Sequence, residues 1–120
     1  MAKVLIVDDD KDILEVVALI LNIHGYTVET VSRAEETIDK IKKYKPDIIL
    51  LDINIAGHDG RDICKRLRSF KTTKDIPVIL FSAIPELEKE HNGCGATDFL
   101  SKPFETSDLI QKIEKHLNAA

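Results

Sequence analysis

The sequence has few of the residues that mark secreted, membrane-spanning or structureless chains. Its two cysteines are too few for a disulfide framework, which favours a reduced, cytoplasmic protein. Its five glycines and four prolines separate periodic segments and build no low-complexity stretch. No apolar run approaches the roughly 20 residues of a membrane-spanning helix, and no signal peptide opens the chain. We therefore expect no contact with a membrane.

An excess of positive charge is also absent. The 21 acidic residues outnumber the 17 basic ones, and the net charge is -4. A broad basic surface is therefore not expected, and we predict no nucleic-acid partner for this chain. No glycine-rich phosphate loop occurs, so nucleotide binding is not indicated either. With 43% hydrophobic and 32% charged residues, the chain suits one globular domain over positions 1–120.

Five short segments predict strands. Three of them, Val4–Val7, Ile48–Leu51 and Val78–Phe81, are apolar without interruption. Uninterrupted runs are typical of strands that are buried on both faces of a parallel sheet. The segments Tyr26–Thr30 and Thr97–Leu100 are weaker candidates.

Helical periodicity fills the gaps between these strands. A capping box at Ser32 and Glu35 is predicted to open the second helix, and Thr106 or Ser107 to cap the last one. Another helix is expected within Pro85–Asn92, where the apolar signal is poor. The residues predicted to face inward are Ile13, Val16, Val17, Ile20 and Leu21 in the first helix, Ala34, Ile38 and Ile41 in the second, Ile63, Cys64 and Leu67 in the third, and Leu109, Ile110, Ile113 and Leu117 in the last.

Strand and helix thus alternate along the chain. This order predicts an α/β fold in which a doubly wound, five-stranded parallel sheet carries helices on both faces. In the flavodoxin-like strand order, 2-1-3-4-5, the first and third strands are neighbours across the switch point. Ligands of such sheets lie at the carboxyl ends of the strands, so polar residues at those ends are the candidate site.

Charged and hydroxyl side chains follow four of the predicted strands. Asp8, Asp9 and Asp10 come after the first strand, Asp52 after the third, Ser82 after the fourth, and Ser101 and Lys102 after the fifth. Either Asp9 or Asp10 is expected to serve only as the N-cap of the first helix. Asp52 is different, because it ends an apolar run where an isolated charge is costly.

These residue types together indicate a chemistry. Carboxylates packed closely repel one another, and a hard divalent cation such as Mg²⁺, or Mn²⁺ in its place, would hold them through oxygen ligands. Lys102 supplies a second positive charge, and the Ser82 hydroxyl can donate to a phosphoryl oxygen. A carboxylate nucleophile beside a metal and a lysine indicates phosphoryl transfer onto an aspartate, for which Asp52 is the candidate.

In combination and order, several short motifs resemble the receiver domain of bacterial two-component response regulators over Lys3 to Leu117. The motifs are Val7-Asp8-Asp9, Leu51-Asp52, Asp59-Gly60, Ser82-Ala83, Gly95-Ala96 and Lys102-Pro103-Phe104. The resemblance implies a phosphorelay signalling module that catalyses only its own phosphorylation and dephosphorylation. It also implies a sensor histidine kinase or histidine phosphotransfer protein as phosphoryl donor, and an unidentified downstream protein.

The resemblance further implies roles for single residues. Asp52 would be the phosphoacceptor, and Lys102 would contact the phosphoryl group. Asp9 would bind Mg²⁺ directly, Asp8 would bind it often through water, and Asn54 would bind it through its backbone carbonyl. On phosphorylation, Ser82 is expected to move toward the phosphoryl group and Phe99 to turn inward, which shifts the population between two packings. The peptide bond between Lys102 and Pro103 resembles one that is usually cis in this family.

The sequence departs from the family pattern at Ala56, and two other positions are expected to tune the lifetime of the phosphoryl group. Ala56 stands where the family usually has proline, so the loop after the phosphoacceptor is expected to be less rigid. Asn54 and Ile84 lie two residues past Asp52 and Ser82, where both side chains are expected to overhang the phosphoryl group. Because Ile84 cannot orient an attacking water, we expect a long-lived phosphoaspartate.

Other functions are open from sequence alone. The domain could be a phosphorylation-independent adaptor with a receiver fold. Asp8 and Asp10 resemble the opening motif of aspartate-nucleophile phosphatases, but the later acidic pair and the longer chain of that family are missing. FMN binding is disfavoured because the aspartates would repel its phosphate. Whether the receiver acts by itself or was excised from a longer protein is also open.

Overall fold

The computed structural model describes residues 2–83 and 93–117, which form a parallel sheet, a small hairpin and four helices. The sheet strands are β1 (Lys3–Val7), β2 (Thr27–Val31), β3 (Ile48–Asp52), β6 (Val78–Ser82) and β7 (Asp98–Ser101), and the hairpin strands are β4 (Asn54–Ile55) and β5 (His58–Asp59). The helices are α1 (Lys11–Ile23), α2 (Ala34–Tyr44), α3 (Gly60–Ser69) and α4 (Thr106–Leu117). Within these described ranges, no helix combines the length and hydropathy needed to cross a bilayer.

The five sheet strands run parallel in the order β2-β1-β3-β6-β7. With the hairpin strands set aside, this is the predicted order 2-1-3-4-5, and the predicted fold class is confirmed. β1 and β3 are direct neighbours, with Val7 opposite Leu51. The residues that follow them, Asp8 and Asp52, therefore reach the same edge of the sheet.

Two apolar layers enclose the sheet. Leu5, Leu51 and Leu80 point to one face, where α2 and α3 cover them. Ile6 and Leu50 point to the other face, where α1 and α4 cover them. Because helices cover both faces, the central strands are apolar throughout Val4–Val7, Ile48–Leu51 and Val78–Phe81, as the uninterrupted runs predicted.

The predicted inward face of α1 is wrong in part. Leu14, Val17 and Leu21 are buried, whereas Val16 is 56% exposed. The helix is apolar at so many positions that two stripes, one residue apart, satisfy helical spacing equally well. Contact with the sheet selects the stripe that includes Leu14.

The predicted caps of α2 and α4 are also wrong. α2 begins at Ala34 with Arg33 at the cap, and no side chain caps it. The Arg33 guanidinium instead binds the Glu35 carboxylate at 2.9 Å, which engages the acid that a capping box needs. α4 begins at Thr106, so neither predicted cap residue precedes the helix. The helix predicted within Pro85–Asn92 lies outside the described residues.

Candidate phosphoacceptor site

Three acids meet at the carboxyl ends of β1 and β3. One carboxylate oxygen from each of Asp8, Asp9 and Asp52 lies within 4.8 Å of the others. Asp8 and Asp52 are buried, and Asp9 is exposed. The parallel pairing of β1 with β3 produces this arrangement, because it aligns the ends of two segments that are distant in sequence.

Lys102 enters the same pocket from the loop after β7. Its Nζ lies 2.8 Å from Asp8 Oδ2 and 3.3 Å from Asp52 Oδ2. The ammonium also lies over the Phe81 ring, 4.7 Å from the centroid. Its backbone N–H donates to the Ser82 carbonyl at 2.8 Å, and the peptide bond to the next residue, Pro103, is cis. Backbone and side-chain contacts therefore fix the ammonium between the two buried carboxylates.

The charges in this pocket do not balance. Burial, followed by the charge of Asp8, raises the pKa of Asp52 to about 6, although Lys102 opposes the shift. Burial alone would lower the pKa of Lys102, but its hydrogen bond to Asp8 and the charge of Asp52 outweigh this effect and raise that pKa. Lys102 therefore stays protonated at neutral pH. One ammonium faces three carboxylates, so the charge of the pocket favours binding of a second cation.

The neighbouring acids Asp9 and Asp10, which follow β1, have different roles. Asp10 is the N-cap of α1, and its Oδ1 accepts from the backbone N–H of Asp12 at 2.9 Å. The backbone N–H of Asp10 donates to Asp8 Oδ1 at 2.9 Å, which orients the Asp8 carboxylate. The expectation that one of the neighbouring acids serves only as the cap is confirmed for Asp10. Asp9 stays available to the pocket.

Gly60 allows α3 to begin directly against the end of β3. Its N–H donates to the Ile53 carbonyl at 2.6 Å, and a Cβ at this position would overlap the carbonyl oxygen of Asp52. Asp59, the preceding residue, caps α3 by accepting from the backbone N–H of Arg61 at 2.9 Å. The Asp59-Gly60 motif thus positions the backbone of the candidate phosphoacceptor.

The loop after Asp52 is a hydrogen-bonded hairpin. Ala56 and Gly57 have φ values of 51° and 88°, as the two central residues of a type I′ turn require. Asn54 Oδ1 accepts from the Gly57 N–H at 3.0 Å, and the Asn54 N–H lies 3.4 Å from Asp52 Oδ1. The loop that was expected to be less rigid because of Ala56 is therefore a hairpin closed by hydrogen bonds. The side-chain oxygen of Asn54 is engaged in the turn.

Two further candidate residues lie on neighbouring strands. Ser82 ends β6 opposite Ser101 and is 5% exposed, one residue past Phe81, which pairs with Asp52. Phe99 on β7 is 2% exposed and packs in the layer with α2 and α3, so it occupies an inward position in this structure. Ile84, the other candidate, lies outside the described residues.

Sequence reasoning did not assign Phe81 to the site. Its ring lies beneath the Lys102 ammonium and packs edge-on against Phe104, with centroids 6.3 Å apart and planes at 87°. A cation held over an aromatic face gains electrostatic stabilisation. The parallel pairing of the strands could have indicated this role, since Phe81 is paired with Asp52 and must therefore lie at the same edge of the sheet.

A buried carboxylate with two neighbouring acids and a lysine lies at the switch point of a parallel sheet, where ligands of such folds bind. The family model "Response regulator receiver domain" matches residues 4–114. The chain belongs to this family, and the predicted resemblance is confirmed.

Relatives agree with this assignment. The curated protein "DNA-binding dual master transcriptional regulator RpaA" of Synechocystis is 33% identical over 94% of this chain, which covers 48% of RpaA. This chain therefore spans about half the length of the curated relatives that it matches.

Solved structures show the same fold. The chemotaxis response regulator CheY4 of Vibrio cholerae is 33% identical, with a TM-score of 0.88 over 97% of this chain and 98% of that one. The receiver domain of the Pseudomonas aeruginosa sensor histidine kinase PA1611 has a TM-score of 0.89 over 98% of each chain at 22% identity. That structure has a magnesium ion coordinated in its active site cleft.

Proposed function

We propose that this receiver domain takes a phosphoryl group onto Asp52 and changes its surface in response. The observation that supports this function best is the convergence of Asp8, Asp9 and Asp52 around the Lys102 ammonium. A sensor histidine kinase or histidine phosphotransfer protein would be the donor, and a downstream protein would recognise the phosphorylated form. The domain acts on no separate substrate and catalyses only its own phosphorylation and dephosphorylation.

Asp52 has the properties of the nucleophile. Its pKa of about 6 leaves most of the carboxylate ionised at neutral pH, so no general base is needed. A carboxylate oxygen attacks the phosphorus of the phosphohistidine, the P–N bond breaks, and the imidazole nitrogen keeps the electron pair. Lys102 Nζ, 3.3 Å from Asp52 Oδ2, is placed to neutralise charge on the phosphoryl oxygens.

The acids suit Mg²⁺ or Mn²⁺. They offer hard oxygen ligands within 4.8 Å of one another, and their charge exceeds what Lys102 neutralises. Asp9 and Asp52 would bind the ion directly, Asp8 would help through water, and the Asn54 carbonyl would add a ligand. When bound, the ion would supply positive charge next to the transferring phosphoryl group.

Ser82 and Phe99 would carry the switch, and phosphorylation would favour the inward position that Phe99 already has in this structure. Ser82 lies at the same sheet edge as Asp52, and Phe99 lies on the strand that leads to Lys102. The phosphoryl lifetime is proposed to depend on Asn54 and Ile84. A half-life that neither Asn54→Ala nor Ile84→Glu changes would count against this dependence.

The domain boundary and the cellular location remain predictions. We propose that residues 1–120 form a single receiver domain, since the match over residues 4–114 includes nearly all of them. A cytoplasmic location is supported by the low cysteine content, because two cysteines are too few for the disulfide framework of a small secreted domain.

The decisive experiment treats the purified chain with a small phosphodonor, with and without Mg²⁺, and measures intact mass. We expect one added phosphoryl group only when Mg²⁺ is present. Asp52→Asn should abolish the addition, and Asp39→Asn, which changes an exposed acid on α2, should leave it intact. Full labelling of Asp52→Asn would overturn the assignment.

This labelling experiment and a phosphatase assay separate the alternative functions. A phosphorylation-independent adaptor would remain unlabelled and would show no response to Mg²⁺. An aspartate-nucleophile phosphatase would turn over a chromogenic phosphate ester many times, whereas a receiver stops after one stable addition. Neither alternative is favoured by a specific contact among the described residues.

A further inference from the structure

Two cysteines that are remote in sequence lie side by side in the core. Cys64 is on α3, and Cys94 is in the turn before β7. Their thiols are within hydrogen-bonding distance, and both belong to the apolar layer under α2 and α3. Cys64 is fully buried as predicted, and Cys94 is only 4% exposed.

Arg68 explains why the turn lies on α3. It follows Cys64 by one helical turn, and its Nε donates to the Gly95 carbonyl at 2.8 Å. Its Nη1 donates to the Ile76 carbonyl at 2.7 Å, which binds the entry to β6 to the same helix. Gly95 has a φ of 85°, and a Cβ there would lie 2.9 Å from Arg68 Cγ. The residue next to Cys94 is therefore held directly against the helix face that carries Cys64.

The two sulfurs are not chemically equivalent. The hydrogen bond from Cys64 lowers the pKa of Cys94 against the opposing effect of burial, with help from the backbone N–H of Ala96 and the charge of Lys65. The same hydrogen bond, together with burial, raises the pKa of Cys64. Since the thiolate is the reactive form, Cys94 is the sulfur that reacts first with an oxidant.

We propose that Cys64 and Cys94 form a reversible intramolecular disulfide when the protein meets a peroxide. The Cys94 thiolate attacks one peroxide oxygen, the O–O bond breaks, and a sulfenic acid forms with loss of hydroxide. The Cys64 sulfur then attacks the Cys94 sulfur, the S–O bond breaks, and the thiol proton leaves with the oxygen as water. In total, two thiols and one hydrogen peroxide give one disulfide and two waters.

The bond would join α3 covalently to the start of the last sheet strand. That strand carries Phe99 and leads to Lys102, so oxidation would restrain the segment that connects the core to the pocket. The unfolded chain would also be cross-linked, which favours the folded state. We expect the oxidised protein to melt at a higher temperature than the reduced protein.

The test uses the intact chain, treated with hydrogen peroxide under native conditions and measured by mass spectrometry. The expected product is a monomer lighter by two hydrogen atoms, and dithiothreitol restores the original mass. Because the chain has only two cysteines, this loss in a monomer identifies the bond. Formation should be about tenfold faster in the folded chain than in urea, since folding holds the two sulfurs together.

Three variants sharpen the result. Cys64→Ala and Cys94→Ala should never lose two hydrogens as monomers, and Asp52→Asn should oxidise like the wild type, because the pair is independent of the phosphoacceptor. A product that is only a disulfide-linked dimer, only a chain with added oxygen, or unmodified protein would overturn the proposal. These readouts on the wild-type chain do not depend on whether either cysteine variant folds.

Discussion

The last sheet strand connects two carboxylate clusters of opposite character. At its start, Asp98 Oδ1 binds Lys112 Nζ at 2.9 Å and Asp98 Oδ2 binds His116 Nε2 at 2.7 Å. Past its end, Lys102 serves both Asp8 and Asp52. At Asp98, two donors serve one carboxylate, whereas in the pocket one ammonium faces the carboxylates of Asp8, Asp9 and Asp52.

The pKa values of Asp98 and Asp52 follow that difference in donors. Burial would raise the pKa of Asp98, but hydrogen bonds from His116 and Lys112 outweigh it and lower the pKa to about 2. Burial and Asp8 raise the pKa of Asp52 to about 6. Similar residue types therefore stabilise the fold at one cluster and oppose it at the other. A site that costs stability without its ligand is typical of function.

The largest expected effect comes from removing the shared cation. Lys102→Met should destabilise the Mg²⁺-free protein by about 3 kcal/mol at pH 7, because two buried carboxylates lose their partner. Lys112→Met should cost only about 1 kcal/mol, since His116 still donates to Asp98. Urea denaturation in the presence of EDTA measures both. An equal loss in the free energy of unfolding for both variants would contradict the proposed difference between the two clusters.

Asp98→Asn should destabilise the protein by about 2 kcal/mol at pH 7. The pKa of Asp98 is lowered from 3.8 to about 2, so its contribution is present above pH 4 and is lost as the pH falls toward 2. The gap between wild type and variant in the free energy of unfolding should therefore shrink between pH 7 and pH 3. A gap that stays constant over this range would show that the carboxylate charge is not responsible.

Asp52→Asn should have the opposite sign and stabilise the Mg²⁺-free protein by about 1–2 kcal/mol at pH 7. The pKa of Asp52 is raised from 3.8 to about 6, so the contribution of Asp52 to stability is greatest below pH 4 and is lost as the pH rises through 6. Denaturation curves of both proteins should coincide near pH 4 and separate by pH 7. A less stable variant at pH 7 would contradict the assigned electrostatics.

The last expected effect comes from the metal. Mg²⁺ at ten times its Kd should stabilise the wild type by about 1.4 kcal/mol at pH 7, and EDTA should reverse this. The gain should shrink at pH 5, where Asp52 is largely protonated, and in Asp52→Asn. Asp98→Asn serves as the matched control and should respond like the wild type. Thermal melting over a Mg²⁺ series supplies the measurement.

Several features were predictable because they depend on order along the chain. Uninterrupted apolar runs required strands covered on both sides, and the alternation with helices required parallel neighbours. Acids that directly follow such strands had to meet at one sheet edge, which brought Asp8 to Asp52. The cap role of Asp10 was local and was also foreseen as one of two choices.

Other features had no signal in the sequence. Asp98, Lys112 and His116 share no recognisable motif, and they meet only because α4 packs beside β7. The buried stripe of α1 was ambiguous between two phases, and the burial of Cys94 depends on how Arg68 holds the turn.

The sequence by itself determined which residue types stand at the ends of buried strands, because strand burial and strand order follow from apolar pattern and alternation. The tertiary structure decided how far the pKa of each carboxylate is shifted and brought the Cys64 and Cys94 sulfurs together. Pairwise electrostatics and hydrogen bonds change within a few ångströms, and distances between remote residues are fixed only when helices dock on the sheet.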